Sequence, residues 1–463
     1  VDPSATRPNT CPTTTDTTSA DRQQRRRLGR VPPSADRACQ AGGDEIACTT
    51  AVEAVGVPAL RIDLRSRREM VAARMMIRGL SLSEKLKSLV LLDIARPADD
   101  AFYRQPEGLD AFRPGEVLDV RRVEVRTLRR LVKVDAWQVK FRSTDARGAA
   151  VSGVTTVMIP RRTFAGSVRP LLSYQPAIDS LGAMNDPSVT LRNGGQLEFP
   201  FIARALRRGW AVVATDYTGP RHAFGVGLVA ARLVLDGIRA ALDVEPAGLD
   251  AATPVGLWGY SGGAQATLFA AEQQAAYAPE LNIVGAAAGG ITGDLTSAHR
   301  VFEDGSLLSG VWFGAMIGIS RELDLDLLGS MTPYGRALVS SASEMTFDQL
   351  LMSFPFLRLG EYLTVSSVLE IPGMRAVPNG FGQAAPVTRM YVYHPARDQN
   401  RSVAEVDEIV ETYRRDGVDV TYRVFRFGKH MTVAITAARS AIRFLSERFD
   451  GPPSAQRETR DSN

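Results

Sequence analysis

The hydrophobic pattern from residue 102 onward changes repeatedly between the period of a strand and the period of a helix. Two-residue alternation predicts strands over 134–141 and 418–427, and the segment 154–159 is predicted to pair antiparallel with the first of these. Short apolar runs predict further buried strands over 170–174, 210–215, 255–258, 283–288 and 387–393. Apolar residues at helical spacing between the runs predict helices, among them 199–208, which Gly209 would end. Strands that alternate with helices predict an α/β fold, with a mostly parallel sheet and flanking helices.

Composition divides the chain into a core, an insertion and two polar ends. We predict that 99–290 and 387–450 form the core, and that 291–386, rich in aliphatic and aromatic residues, forms a helical insertion. This composition fits either an ordinary buried subdomain or a cap over the active site whose inner wall binds an acyl chain. Residues 1–98 are predicted to be an N-terminal extension, disordered to about residue 60 and then helical, and 451–463 a disordered tail.

The pattern Gly-x-Ser-x-Gly occurs once at a predicted junction of strand and helix, at 259–263. A sharp turn there would force Ser261 into a strained backbone conformation and expose its hydroxyl at the amino end of a helix. Because the chain has 40 glycines, the bare pattern can arise by chance, so its context carries the argument. We therefore interpret Ser261 as a nucleophile.

A serine hydroxyl needs a base, usually a histidine, and an acid that orients the histidine. His430 lies between the last predicted strand and the last predicted helix, and Asp398 lies in the loop after the preceding strand. The order Ser261, Asp398, His430 is the one expected of α/β-hydrolases. The alternatives are His394 as a base or a structural residue, His222 as a pocket-lining residue, and Asp407, Asp416 and Asp419 as rival acids in helical or turn contexts.

The tetrahedral intermediate of acyl transfer also needs hydrogen-bond donors for its negatively charged oxygen. The first expected donor is the backbone N–H of Gly262, the residue after the nucleophile. The second is expected from the loop around Ile178 and Asp179, after the predicted strand 170–174. The chain contains no His-Gly-Gly-Gly run, which argues against esterases of the hormone-sensitive-lipase type.

Charge and cysteine content argue against several other classes of protein. The 463 residues include 55 basic and 51 acidic side chains, and the net charge of +4 does not favour nucleic-acid binding. The cysteines are Cys11, Cys39 and Cys48, and no cysteine–histidine cluster has the spacing of a zinc site. We therefore predict neither a metal nor a cofactor. No uncharged run is long enough to span a bilayer, so no transmembrane segment is predicted.

Several motifs in combination resemble the secretory lipase family, which includes Candida lipase A and actinobacterial lipases. They are the segments 174–180 and 259–264, Asp398 with Gly428-Lys429-His430, and the pairs Phe102-Tyr103 and Asp216-Tyr217. The resemblance extends from residue 99 to residue 449 and implies an ester or triacylglycerol hydrolase with a cap inserted in its sheet. It also implies that Asp179 and Gly262 form the oxyanion hole. The loop disulfides of fungal relatives cannot form here, because no cysteine follows Cys48.

The sequence thus predicts a serine hydrolase that cleaves carboxylic esters of lipids through an acyl-enzyme on Ser261. Its expected partners are a lipid or ester substrate and a lipid interface that contacts the cap. Two alternatives stay open: acyl transfer by the same residues, and a non-catalytic binding protein on a hydrolase scaffold. The resemblance implies secretion, whereas no basic-then-apolar signal peptide is seen at the start of this chain, so localisation is left open.

Overall fold

A computed structural model describes residues 91–293, 305–377 and 380–450. The predicted disorder at 1–60 and 451–463 lies outside the described residues, as does most of the helix expected around residues 80–94. The described end of that helix is not helical, because residues 91–96 have no regular structure. The N–H of Leu92 donates instead to the carbonyl of Asn193, at 3.0 Å. The helix prediction was therefore wrong for residues 91–94, the part of it that the structure describes.

A nine-stranded sheet lies at the centre of the described chain, and two short strands pair separately. The strands are β1 (Val117–Arg122), β2 (Arg126–Thr127), β3 (Arg130–Leu131), β4 (Val134–Thr144), β5 (Ala150–Pro160), β6 (Leu171–Gln175), β7 (Ala211–Thr215), β8 (Val255–Tyr260), β9 (Ile283–Gly289), β10 (Met390–Pro395) and β11 (Val420–Phe425). The order across the large sheet is β1-β4-β5-β7-β6-β8-β9-β10-β11. From β7 to β11 every neighbouring pair is parallel, whereas β1, β4 and β5 pair antiparallel. The mostly parallel sheet expected from the sequence is therefore confirmed.

Helices cover both faces of the sheet. They are α1 (Pro187–Asn193), α2 (Phe199–Arg208), α3 (Gly227–Asp243), α4 (Gly262–Tyr277), α5 (Ser309–Leu323), α6 (Pro333–Ala342), α7 (Phe347–Ser353), α8 (Val403–Arg415) and α9 (His430–Phe449). Short 3₁₀ turns occur at Pro97–Asp99, Ala101–Tyr103, Leu109–Ala111, Ala183–Asn185, Glu245–Ala247, Leu359–Tyr362, Val368–Glu370 and Met374–Ala376. Within the described ranges, no helix is long and apolar enough to cross a membrane.

The central strands bury both of their faces. Leu171 and Val213 pack into one hydrophobic cluster, and their neighbours Leu172 and Val212 pack into the cluster on the other side. Successive strand residues point to opposite faces, so a strand covered on both sides needs a continuous apolar run. This requirement explains why the buried parallel strands β6 to β10 are short apolar runs in the sequence, while β4 and the edge strand β11 include polar residues at regular intervals.

The longest described stretch of the insertion, 305–377, lies between β9 and β10 and contains α5, α6 and α7. The rings of Phe313 on α5 and Phe354 are 5.3 Å apart and packed edge to face. A side chain at Gly310 would overlap the carbonyl of Leu350 on α7, which shows how closely the two helices approach. Phe313 and Met316 are fully buried in the core, whereas Trp312 is only partly buried.

Two strand boundaries differ from the prediction. We predicted a strand over 387–393, but β10 begins at Met390 and the side chain of Val387 is 67% exposed. We predicted that the last strand reaches residue 427, but β11 ends at Phe425, opposite Pro395, the last residue of β10. Beyond this pair the strand has no partner, and the side chain of Phe427 is 90% exposed.

Candidate active site

Ser261 lies at the turn between β8 and α4. Its backbone angles are φ 57° and ψ −124°, a strained conformation for a residue with a side chain. The N–H of Ser261 donates to the carbonyl of Gly289 in the neighbouring strand at 2.9 Å. The sharp turn expected at the Gly-x-Ser-x-Gly pattern is present, and it holds the serine at the carboxyl edge of the sheet.

The glycines around Ser261 are required by close contacts. A Cβ at Gly259 would overlap the carbonyl of Gly263, and a Cβ at Gly263 would overlap the carbonyl of Gln175 at the end of β6. A Cβ at Gly262 would overlap the Oδ1 atom of Asp179. Larger residues would therefore push the helix away from the strands and displace the Asp179 carboxyl group.

The side chains of Ser261, His430 and Asp398 form a chain of hydrogen bonds. The Ser261 Oγ atom lies 2.8 Å from His430 Nε2, and His430 Nδ1 lies 2.8 Å from Asp398 Oδ2. When the imidazole carries its proton on Nδ1, it donates to the carboxylate and accepts from the serine hydroxyl. The structure thus brings together three residues that are far apart in the sequence, and their catalytic roles stay a prediction.

The Asp398 carboxylate is completely buried and is held as an ion. Burial by itself would raise the pKa of Asp398, but the hydrogen bond from His430, the charge of that ring and the N–H of Asn400 bring the pKa below its usual value. His394 lies 3.8 Å from the same carboxylate, and its Nε2 atom is 3.0 Å from the carbonyl of Arg401. His394 therefore packs behind Asp398, where its partners are Asp398 and the backbone.

The rival residues lie away from Ser261. Asp407 is on α8 and interacts with the hydroxyl of Tyr422, Asp416 follows the last residue of α8, and Asp419 forms an exposed ion pair with Arg389 at 3.1 Å. His222 lines a separate cleft of about 640 Å³ in which Asp186 and Asp216 also lie. Burial lowers the pKa of His222 to about 4, so the ring is neutral in that cleft.

Asp179 faces the amino end of α4, beside the N–H of Gly262. Its φ of 42° is in the left-handed region, which indicates a backbone constrained by its surroundings. Burial raises the pKa of Asp179 to about 6, although the nearby His430 partly opposes this rise. The N–H groups in the first turn of a helix have no partner within the helix. That a protonated Asp179 and the Gly262 N–H act together as donors to an oxyanion stays a prediction.

Two residues that sequence reasoning missed hold the loop of Asp179. The Glu198 carboxylate accepts from the hydroxyl of Tyr174 at 2.5 Å and from the N–H of Ala177 at 2.9 Å. The hydroxyl of Tyr217 accepts from the N–H of Ile178 at 3.1 Å and donates to the carbonyl of Pro176 at 2.8 Å. The pair Asp216-Tyr217 attracted attention in the sequence, but nothing in the local pattern showed that its tyrosine reaches this loop.

His430 is also fixed from its backbone side. The hydroxyl of Tyr260, the residue before the nucleophile, donates to the carbonyl of His430 at 2.6 Å. The Nδ2 atom of Asn400 lies 3.3 Å from both ring nitrogens of His430. These contacts tie the first turn of α9 to the end of β8, so the ring and the serine are positioned by adjacent elements. No group of acidic, histidine or cysteine side chains among the described residues has the arrangement of a metal site.

Comparison with known proteins gives the same assignment as the motifs. The family model of secretory lipases matches residues 187–457. A Mycobacterium tuberculosis protein named a "probable inactive lipase" is 34% identical over 372 residues, which cover 77% of this chain and 83% of that protein. This chain belongs to the secretory lipase family. The family resemblance stated from the sequence is confirmed.

Further relatives of this chain are fungal. Lipase A of Arthroderma benhamiae is 33% identical over 383 residues, which cover 77% of this chain and 80% of that protein. The closed-state structure of Candida antarctica lipase A matches with a TM-score of 0.72 at 25% identity, over 78% of this chain and 88% of that one. The rice cell wall degrading esterase LipA from Xanthomonas oryzae, in a mutant form, shares the fold with a TM-score of 0.59 at 16% identity and covers 73% of this chain. The fold is therefore that of an α/β-hydrolase, as expected, and the family supports hydrolysis of lipid esters.

Proposed function

We propose that this member of the secretory lipase family hydrolyses carboxylic esters of lipids through an acyl-enzyme on Ser261. One observation carries the proposal: Ser261, His430 and Asp398 are joined by hydrogen bonds of 2.8 Å each. This is the geometry needed for a base to take the serine proton while an ionised acid stabilises the resulting imidazolium. Family membership supports the substrate class, since several curated relatives are named lipases.

Acylation begins when Ser261 Oγ attacks the ester carbonyl and its proton passes to His430 Nε2. The Asp398 carboxylate stays ionised and attracts the positive charge of the ring. The carbonyl oxygen becomes an oxyanion, which accepts hydrogen bonds from the Gly262 N–H and from protonated Asp179. His430 then donates its proton to the leaving alcohol oxygen, the carbon–oxygen bond breaks, and the acyl group remains on Ser261.

Deacylation repeats these steps with water in place of the alcohol. His430 removes a proton from water, and the hydroxide oxygen attacks the acyl carbonyl. The second oxyanion is bound by the same donors. Collapse of this intermediate releases the carboxylic acid and returns the proton to Ser261. No cofactor or metal takes part in this scheme, since the nucleophile, base, acid and oxyanion donors are all residues of the chain.

The insertion 291–386 is proposed to act as the cap that controls access of the acyl chain. Its described helices lie in the sequence between β9 and β10. The carboxyl end of β9 contacts the backbone of Ser261, and Asp398 follows the carboxyl end of β10. Phe313 and Met316 on α5 are fully buried and are therefore not accessible to a substrate. We assign substrate contact in this region to partly buried residues such as Trp312.

A labelling experiment tests the proposal directly. A fluorophosphonate reacts covalently with a serine only when the serine is activated, so the wild-type chain should be labelled and Ser261→Ala should not be. Hydrolysis of p-nitrophenyl esters of increasing acyl length, with Ser261→Ala as control, should then give chain-length preference. An unlabelled, inactive wild-type protein with native-like circular dichroism would contradict the proposal.

The name of the mycobacterial relative, a "probable inactive lipase", raises a non-catalytic binding protein as the second candidate. The intact hydrogen-bonded chain from Ser261 to Asp398 argues against it here, and fluorophosphonate labelling distinguishes the two. Acyl transfer differs from hydrolysis only in the acceptor that enters for deacylation. Adding an alcohol or a sugar to the assay, and measuring new ester against free acid, separates these reactions.

A further inference from the structure

The outer face of α9 changes along its length from apolar to basic. Met431, Ile435, Arg439 and Arg443 follow one another at four-residue spacing, so they share one side of the helix. Met431 is 72% exposed and Ile435 63% exposed, while residues of the opposite side, such as Val433, are fully buried. A single exposed apolar residue is ordinary on a protein surface. Two exposed apolar side chains in a row that begins next to His430 need another explanation, because neither of them packs in the hydrophobic core.

The loop before α9 extends the apolar end of this stripe. Phe427 is 90% exposed and lies between Arg426 and Lys429, both exposed. Phe427 and Met431 are on either side of His430 in the sequence, so the apolar end of the stripe adjoins the candidate active site. The apolar groups are flanked by positive charge on this end as well.

The basic end of the stripe meets a second row of arginines on α2. A concavity of about 490 Å³ is lined by Arg204, Arg207, Arg208, Arg439 and Arg443, with Ile442 and Ser446. Among the described residues, no acidic side chain lines it, and one of its arginines, Arg443, forms an ion pair with Glu447 at 4.0 Å. Burial, and then the positive charges of Arg207, Arg439 and Arg208, lower the pKa of Arg204, as expected where cations lie close together.

The two ends form one continuous face on the same side of the sheet. Helix α9 begins with His430 at the carboxyl edge of the sheet. Its last turns pack at the amino edge of the sheet, because Leu445 and Phe449 lie against Gly256, near the start of β8. At 1.5 Å per residue, the stripe from Met431 to Arg443 is about 18 Å long. We call this face, made of Phe427, the α9 stripe and the α2 arginines, the α2–α9 face.

We propose that the α2–α9 face is the docking surface for an anionic lipid surface. Resting on the proposed function, this inference assigns interfacial contact to α9 rather than to the insertion alone. Apolar side chains that enter the acyl boundary, beside arginines that bind phosphate groups, are the combination by which helices lie on anionic membranes. Docking in this way would bring the lipid next to His430, from which an ester could enter the site.

Vesicle binding tests the two ends of the face separately. Sedimentation with phosphatidylcholine vesicles, with and without phosphatidylglycerol, gives the partition coefficient of the full chain. Arg439→Gln/Arg443→Gln should lower the partition coefficient on anionic vesicles about thirtyfold. Each cation near such a surface raises this coefficient about fivefold, and two cations are removed. Binding to neutral vesicles should not change, and the difference should disappear at high salt.

Removing the apolar groups should weaken binding to both kinds of vesicle. Met431→Ser/Ile435→Ser should lower the partition coefficient by about a hundredfold, the effect expected for two side chains of this size losing apolar burial. The matched controls are Arg336→Gln/Arg415→Gln, which removes two exposed cations elsewhere, and Val387→Ser, which removes an exposed apolar side chain outside α2, α9 and the insertion. Equal losses in the controls, or absence of vesicle binding by the wild-type chain, would overturn the proposal.

A fluorescent reporter distinguishes lipid from other occupants. An environment-sensitive dye on Ile435→Cys, in a chain whose Cys11, Cys39 and Cys48 are changed to Ser, should report water in the free protein and an apolar environment on anionic vesicles. An apolar environment before vesicles are added would mean that a second copy or another segment of the chain covers the face, which would refute lipid docking.

Failure of this proposal can be separated from failure of the proposed function. Vesicle binding needs no turnover, so it is measured even if the chain hydrolyses no ester. Conversely, hydrolysis of a dissolved short ester needs no docking. For Arg439→Gln/Arg443→Gln we expect the ratio of activity on an anionic emulsion to activity on the dissolved ester to fall. An unchanged ratio would overturn docking and leave the proposed function standing.

Discussion

Replacing Asp179 by Asn tests the oxyanion assignment through both activity and stability. Asp179 can donate a hydrogen bond from its side chain only when it is protonated, whereas an asparagine amide donates at every pH. With a pKa of about 6, wild-type Asp179 is a donor below that pH and a carboxylate above it. The wild-type turnover should therefore fall as pH rises through about 6, since a carboxylate would repel the oxyanion, and Asp179→Asn should flatten this fall.

The stability effect can be worked out from the same pKa. The pKa of this carboxyl group rises from 3.8 in its ordinary state to about 6 in the fold, so the folded protein favours the protonated form. Stability is then complete below the lower value and is lost as pH rises toward the higher one. Two units of pKa correspond to about 3 kcal/mol of unfolding free energy above pH 6. Asparagine carries no charge, so the advantage of Asp179→Asn should grow by that amount between acid and neutral pH.

The assay is urea unfolding of both proteins across this pH range, combined with turnover of a soluble ester. Asp119→Asn, at an exposed position on β1, serves as the control for losing one carboxylate. Asp179→Ala removes the donor altogether and should lower turnover by about 10²–10³. A stability difference that does not change with pH, or Asn and Ala variants with the same pH profile of turnover, would refute the side-chain role and leave only the backbone of this loop at the site.

Three further predictions concern the rest of the site. Ser261→Ala, His430→Ala and Asp398→Ala should each lower ester hydrolysis by about 10⁴ or more without unfolding the protein, and combined variants should lose little further, because the three residues act as a unit. Trp312→Ser should change chain-length preference more than it changes hydrolysis of a short dissolved ester, since this residue is the partly buried aromatic side chain of α5. Glu198→Ala should reduce both thermal stability and turnover, because it leaves the Tyr174 hydroxyl and the Ala177 N–H without their acceptor.

Each of these predictions has a result that contradicts it. Near-normal turnover of Asp398→Ala would show that another acid orients the histidine. Equal losses on all esters for Trp312→Ser would mean that it acts only in packing. Glu198→Gln is the matched control for Glu198→Ala, because an amide oxygen can still accept. If the two variants behave alike, the hydrogen bonds to the loop do not explain the loss.

Local elements were predicted well wherever the sequence itself encodes their ends. Helix α2 has the predicted bounds because Pro200 lies in its first turn and Gly209 ends it with a φ of 85°. The strand β1 was missed because it is an edge strand without regular alternation: Asp119 and Val120 are both exposed, and so is Arg122. Its pairing with β4 comes from the neighbouring strand and not from its own pattern.

The candidate site was predicted through topology more than through local pattern. In a parallel sheet the loops after the strands meet at one edge, so the chain order of Ser261, Asp398 and His430 was enough to suggest their proximity. Glu198 could not be found in this way, because its role depends on how the loop before α2 packs against the end of β6. Similarly, the raised pKa of Asp179 depends on burial beside α4, which no single stretch of sequence reveals.

The position of His430 at the start of α9 has a consequence for synthesis of the chain. The ribosome makes Ser261 first, Asp398 much later and His430 last, and the imidazole reaches the serine only after β11 has joined the sheet and α9 has packed on it. If Ser261 is the nucleophile, a nascent chain carries an unactivated hydroxyl until nearly all of the core is complete. Reaction of the serine with esters is then delayed by the order of translation, because the base that takes its proton is made last.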